Sequence, residues 1–428
     1  MSLVDLIRAK KLYYFFGMLA PAIGALLTGF YTVFVLHYLS LVEVGVLFAF
    51  HLLLLAILDF PTGSLADMWG ARKCLMISYL AFFVAFLGLG LLILTPNMAL
   101  PLFLLIEFFF AVGIAQESGT IVAWFTNQCK ANGDDLSKIR SIFGKARGIT
   151  LMSTTIAMLI GGFLAEYIGI GVAFSAGIIL SLLALTATSL LESESSNPLK
   201  AKMKYLDQLK AATKAAMADS RLPILITTSS LNYAGYFIVA SLALQPLLYQ
   251  DLKSLFWLSA IFALFQLIQV VSSYLGGKMV RFLDITTALA IWMIVPFLYL
   301  ILFAAIMLNW GFYVVLLGLV FLFAVFALYH PHIGQFYQRL TPDDHRAALT
   351  SLRSTARSIT AISFTIIGGI MLHRFGLGIA LLIAGVLAVL SLGLLFYVWF
   401  LSHTFSGSPL VESVPTHQAS PVYSPQAS

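Results

Sequence analysis

Long apolar runs alternate with short polar breaks along the chain, and each run is continuous, without the every-second-residue alternation of membrane barrel strands. Most are about as long as a helix that crosses the hydrocarbon core of a bilayer. The pattern predicts twelve helical spans, near Leu12–His37, Val42–Leu65, Cys74–Leu94, Met98–Phe125, Ile142–Leu164, Ile168–Leu190, Leu222–Leu248, Phe256–Val280, Thr286–Leu308, Phe312–Tyr329, Ala347–Leu372 and Ile379–Leu401. The second span carries His51 and Asp59, and the fourth holds Glu107, Gln116 and Glu117 within apolar sequence. The third has no charge and reads as a lipid-facing support. The predicted fold class is an all-α polytopic membrane protein.

The chain also repeats itself. Ser141–Ile149 (SIFGKARGI) matches Ser351–Ile359 (SLRSTARSI), and Ile160–Ala173 (IGGFLAEYIGIGVA) matches Ile367–Ala380 (IGGIMLHRFGLGIA). The pairs Asp134-Asp135 and Asp343-Asp344 keep nearly the same offset, close to half the chain. Duplicated halves are a recurring transporter design, with the substrate site near the midplane where they meet. The expected organisation is a six-helix half over residues 1–191, a Lys-rich linker over 192–221, a second six-helix half over 222–402 and a Ser/Pro-rich tail over 403–428. The linker reads as partly amphipathic and surface-lying, and the tail as disordered.

Composition agrees with the spans. Hydrophobic residues make up 61% and charged residues 10% of the 428, against roughly 25% charged in soluble domains. The net charge of +6 does not signal nucleic acid, because all Lys and Arg except Lys253 and Arg374 fall on one side of the twelve-span scheme. That asymmetry places both termini in the cytoplasm of a multi-pass cell (inner) membrane protein. No basic run with interleaved aromatics remains for nucleic-acid binding. Cys74 and Cys129 fall at cytoplasmic ends and should be reduced thiols. No metal or cofactor is expected, and no GxxxxGK[ST] loop points to direct ATP use. Arg8, Lys10 and Lys11 lead into a span too long for a cleavable signal peptide.

Between the second and third spans, Asp59–Lys73 reads DFPTGSLADMWGARK, a knot of turn-formers and charge. A helix arriving here should turn near Gly70 and restart near Cys74, since glycine tolerates the backbone such a turn needs. The pattern resembles the signature loop G-x-L-A-D-x-x-G-R-K of the major facilitator superfamily: Gly63, Leu65, Ala66, Asp67, Gly70, Arg72 and Lys73 fit, and Ala71 departs from it. By that resemblance the fold is two six-helix pseudo-repeats, and Asp67 would clamp the cytoplasmic gate by docking against the other half. A second copy, Gly277–Asp284 (GKMVRFLD), has Arg281 in place of the acid. The nearest branch looks like the bacterial drug-efflux-like transporters, some of which carry a similar P-T-G…L-A-D stretch.

A charge within a bilayer asks for an explanation, since insertion there costs about 2.5–3.5 kcal/mol. Glu117 lies near the middle of the fourth span, among Gln116, Ser118 and Gly119, which can admit water. It is either a proton-coupling acid or a structural hydrogen-bonding group. Asp59 is the second coupling candidate. Because the resembled fold packs spans two and eleven together, Arg353 or Arg357 is its expected partner. Arg147 and Arg357 are equivalent in the two repeats and suit structural, gating or anion-contacting roles. His330 and His332 flank Pro331, where the tenth span is expected to break, and suit a proton relay or a plain interfacial pair. In the resembled fold spans one, four, seven and ten line the cavity, so Tyr31, Gln116, Trp124, Asn232, Tyr236 and His330 are wall candidates, with ordinary helix packing as the alternative for each.

The resemblance implies a monomeric secondary transporter working by alternating access on a small-molecule substrate in the lipid bilayer, coupled to protons. Export of a small amphipathic compound is the expected activity; uptake of a nutrient or of an anion steered by Arg147 is the alternative. A transporter-derived scaffold or sensor is the reading of another class. No nucleophile and base stand at a spacing that suggests an enzyme.

Overall fold

The computed structural model describes residues 3–95, 99–117, 119–131, 136–191, 213–214, 216–217, 219–279, 285–341 and 346–404. Among these all regular structure is helical, and twelve helices are long and apolar enough to cross a membrane. Most of the linker and the tail beyond residue 404 lie outside the described residues.

The first span consists of α1 (Leu3–Thr28) and α2 (Tyr31–Leu36), the second of α3 (Leu41–Trp69) and the third of α4 (Ala71–Leu94). The fourth is α5 (Ala99–Glu117) and α6 (Thr120–Ala131); the fifth is α7 (Leu136–Phe163) with a closing π-helical turn, Leu164–Ile168; the sixth is α8 (Ile170–Ala187). The seventh joins α9 (Arg221–Phe237), a π-helical segment Ile238–Ala243 and α10 (Leu244–Leu252). Spans eight to twelve are α11 (Leu255–Met279), α12 (Ile285–Met307), α13 (Phe312–Leu340), α14 (Arg346–Phe375) and α15 (Ile379–Thr404).

Three spans depart from the uninterrupted helices that the apolar runs suggest. The first breaks between Thr28 and Tyr31, the seventh widens into a π-helix, and the fourth breaks after Glu117, where Gly119 takes φ 73°. Hydropathy averaged over a span does not register such breaks, because each run stays apolar as a whole. The tenth span departs the other way. It runs straight through Pro331 to Leu340 instead of ending at Tyr329. Proline removes the N–H that would bond the carbonyl four residues back, and that carbonyl, of Ala327, accepts instead from Ser273 Oγ of α11 at 3.3 Å. A neighbouring helix thus satisfies the freed group, as a lipid-embedded backbone requires.

The helix contacts repeat the sequence duplication. In the first six spans the fifth packs on the first, the fourth on the second and third, and the sixth on the third; in the last six, eleven packs on seven, ten on eight and nine, and twelve on nine. The two sets of six meet through α3 against α14 and α7 against α11, which the same duplication relates to each other. In lipid such contacts depend on close packing more than on expulsion of water. Small residues provide it: a Cβ on Gly45 of α3 would lie 3.1 Å from the Gly369 Cα of α14.

The face carrying the N-terminus is called the near face here, and the opposite one the far face. The hydrogen bonds that join the two sets of six, among the described residues, all lie toward the far face. Thr32 N–H donates to Gln245 Oε1, Gln245 Nε2 to the Thr28 carbonyl and Thr32 Oγ1 to the Ser241 carbonyl, each at 2.8 Å, and Leu255 N–H donates to Glu166 Oε2 at 2.7 Å. These four bonds tie the two sets together at the far face and are called the far seal.

Candidate functional site

Below that seal, a cavity of about 620 Å³ lies between the two sets of six, a size that suits a small organic ligand. The first six spans contribute Tyr31, Phe48, His51, Phe82, Glu107, Phe110 and Glu117 to its wall, and the last six contribute Tyr233, Tyr236, Phe265, Gln266, Gln269 and Phe323. Ring faces cover much of it, with Phe265 and Phe323 stacked at 4.7 Å. Among the described lining residues there is no Lys or Arg.

The most deeply held acid is Glu107, 3% exposed. Its Oε1 accepts from the Tyr31 hydroxyl at 2.6 Å, and its Oε2 lies 2.6 Å from His51 Nδ1. That separation is within ion-pair distance, and the hydroxyl occupies the other oxygen. Three helices, α2, α3 and α5, bring these groups together. The arrangement can store a proton or exchange it for a polar group of a ligand without leaving a bare charge in the membrane. No sequence motif joins this pair. The signal available was depth alone: His51 and Glu107 sit at comparable distances from the far ends of adjacent spans.

Glu117 also faces the cavity, at the end of α5 where the fourth span breaks. It forms no ion pair among the described residues. Of the six wall candidates, Tyr31 and Tyr236 line the cavity. The other four do not. Gln116 is turned into the helix packing at 7% exposure, while Trp124 and Asn232 are buried among their neighbours. His330 sits edge-on to Phe326 at 4.7 Å, off the cavity wall. His332, two residues on, is buried.

At the signature loop, Gly70 takes φ 81° between α3 and α4, a left-handed turn that a side chain would strain. The second helix restarts at Ala71, slightly before the expected Cys74, with Arg72 half-buried and Lys73 exposed. Asp59, Gly63 and Asp67 ride on the α3 backbone, but their side chains lie outside the described residues, as does Arg281. The expected docking of Asp67 and pairing of Asp59 therefore have no counterpart among the described contacts.

The arginines occupy separate places. Arg357 lies over the Tyr233 ring at 4.3 Å; Arg353 lies over the Tyr337 ring at 4.7 Å and donates through Nε to Ser229 Oγ at 3.2 Å. Arg147 is exposed and does not reach the cavity. An anion in the cavity would find no cation from Arg147.

Twelve spans in two repeated sets of six, around a central cavity, are the architecture of a secondary transporter. A sequence model of the Major Facilitator Superfamily matches residues 11–365, and the chain belongs to that family. No curated protein matches the chain. Solved structures share its fold at low identity. The nucleoside transporter NupG is 16% identical, with a TM-score of 0.71 over 94% of this chain and 99% of that one. A D-xylose-proton symporter is 18% identical, with a TM-score of 0.66 over 92% and 98%. The xylose transporter XylE from E. coli, in an inward-open conformation, is 16% identical, with a TM-score of 0.64 over 92% and 95%.

Proposed function

We propose that the chain transports a small amphipathic molecule, neutral or cationic, in exchange or in company with protons that bind at Glu117 and at the Glu107 site. The observation that carries this reading is a ring-lined cavity between the two sets of six, with two carboxylates on its wall and no Lys or Arg among its described lining residues. A carboxylate in such a place is stable when protonated or paired, so a proton and a polar or positive ligand group are natural alternatives. Arg147 stands off the cavity, which argues against the anion. The basic residues gathered at one membrane face support a cell (inner) membrane protein with both termini in the cytoplasm. In that orientation the far seal faces outward and the cavity belongs to an inward-facing state.

Export, as by the drug-efflux-like branch, fits the apolar and aromatic wall. Uptake is the second reading, favoured by the neighbours in fold, which are a nucleoside transporter and a xylose-proton symporter. Asp59 remains a second coupling candidate by its place on α3.

The test is solute flux in proteoliposomes under an imposed proton gradient, with lipophilic cations, nucleosides, sugars and small anions as probes. Concentrative flux of a neutral or cationic probe, lost in Glu117→Gln with exchange retained, is the expected result. Flux of anions alone, or of none of these probes, would remove the proposal; the second outcome would favour a ligand-binding scaffold.

A further inference from the structure

Gln245 stands where a backbone hydrogen bond of the first span should be. In an uninterrupted helix the Thr32 N–H would donate to the Thr28 carbonyl, four residues earlier. Here the Gln245 carboxamide, from the seventh span, is inserted between the two: its Oε1 accepts from Thr32 N–H and its Nε2 donates to the Thr28 carbonyl, each at 2.8 Å. Both backbone groups are helix-end orphans, which are costly to bury unpaired. Gln245 is itself 5% exposed. The seventh span is distorted at the same level: it is π-helical over Ile238–Ala243, and its Ser241 carbonyl accepts from Thr32 Oγ1 at 2.8 Å. A side chain inserted into the helix ladder is a known cause of a break.

Tyr31 sits between those two orphan groups, and its hydroxyl holds Glu107 at 2.6 Å. We propose that Gln245 is the gating residue that links the far seal to Glu107, by replacing the Thr32–Thr28 hydrogen bond for as long as the seal is closed. The proposal rests on the transport reading above and deepens it. When the far ends part, Gln245 withdraws. Thr32 and Thr28 then bond each other, the first span straightens, and Tyr31 turns about the helix axis away from Glu107. In reverse, a Glu107 that has yielded its oxygen to a proton or a ligand releases Tyr31 and loosens the seal. The ionisable groups around this link are His51 from α3, Glu107 from α5 and Glu117 at the end of α5, with Tyr233 and Tyr236 facing them from α9.

The experiment uses the full chain in lipid nanodiscs, with Cys74 and Cys129 replaced by Ser and spin labels at Thr95 and Leu308, both exposed at far-face ends. Distances are measured by electron–electron double resonance. Wild type should shift toward longer distances as pH is lowered from about 8 to 5, a range that spans the ordinary histidine value. Gln245→Ala should raise the long-distance population at least tenfold at about pH 8, where the wild-type seal is closed. Tyr31→Phe, which removes only the hydroxyl, should abolish the pH response without unfolding. A Gln245→Ala distribution equal to wild type, a pH response retained in Tyr31→Phe, or a wild type indifferent to pH would each overturn the link. These distances need no substrate. Failure of flux alone therefore removes the transport reading and not the gate.

Discussion

Gly45 and Gly369 meet backbone to backbone where the second and eleventh spans cross below the far face. A Cβ on Gly369 would lie 2.8 Å from the Leu41 carbonyl, and one on Gly45 would lie 3.0 Å from that of Thr365. Backbone cannot retreat as a flexible side chain can. Gly369→Leu should therefore wedge the crossing open, at a cost of about 1–3 kcal/mol to the closed state. Thiol-reactive probes added from the far side should label a cysteine at the cavity residue Phe110 several-fold faster in this variant. Unchanged labelling would mean that the crossing is not part of the seal.

The close set of His51, Glu107 and Tyr31 makes a second prediction. Removing one partner of a buried pair costs about 3–5 kcal/mol when the other stays charged. His51→Ala should thus lower thermal stability clearly, and Glu107→Gln in the same background should restore most of it, because the neutral amide needs no counter-charge. Melting in detergent reads both. Equal melting of His51→Ala and wild type would show that the pair carries no charge.

Ser273 and Pro331 should behave as a coupled pair. Ser273→Ala leaves the Ala327 carbonyl without its donor, at about 0.5–1.5 kcal/mol. Pro331→Ala restores the helix's own N–H to that carbonyl, so adding Ser273→Ala to it should change almost nothing. A double-mutant cycle by thermal unfolding measures the difference, and strict additivity would contradict the hydrogen bond.

At the start of the seventh span, Arg221 grips Asp219 through Nη2 at 2.7 Å, and its backbone N–H donates to Oδ1 at 2.9 Å. Burial by itself would raise the carboxyl, but the hydrogen bonds and charge of Arg221 outweigh it and hold Asp219 below the ordinary carboxylate value. A depressed carboxylate stabilises the fold above its unfolded value, near pH 3.9, and loses that contribution as pH falls through the lower folded one. Asp219→Ala should lower stability by about 0.5–2 kcal/mol at neutral pH. The gap to wild type should narrow as pH falls below the ordinary carboxylate value and close once it has passed the lower folded one. A gap that persists in acid would assign the loss to packing.

The twelve spans were legible because lipid demands long apolar runs, and a run of that kind has few other uses. The two repeated sets were legible from Ser141–Ile149 and Ser351–Ile359, which fall in the paired fifth and eleventh spans. The cavity was only partly legible. Tyr31 and Tyr236 could be placed on its wall from the resembled fold, but Trp124 and Asn232 could not be told from packing residues, because the face a helix turns inward depends on its neighbours. Glu117 stood out from its polar surroundings. The pairing of His51 with Glu107 did not, since it joins two helices whose spacing in sequence says nothing of their rotation. Gln245 was hidden for a further reason: its partners are backbone groups, which every residue has.

The far seal is nearly free of formal charge. Three of its four described hydrogen bonds join amides, a hydroxyl and carbonyls, and only Glu166 brings a charge, at the protein's edge. Mobile ions weaken attraction between charges and leave neutral hydrogen bonds and backbone packing almost untouched. The barrier on that side is thus set by geometry, and fresh water or brine against it should leave it equally tight.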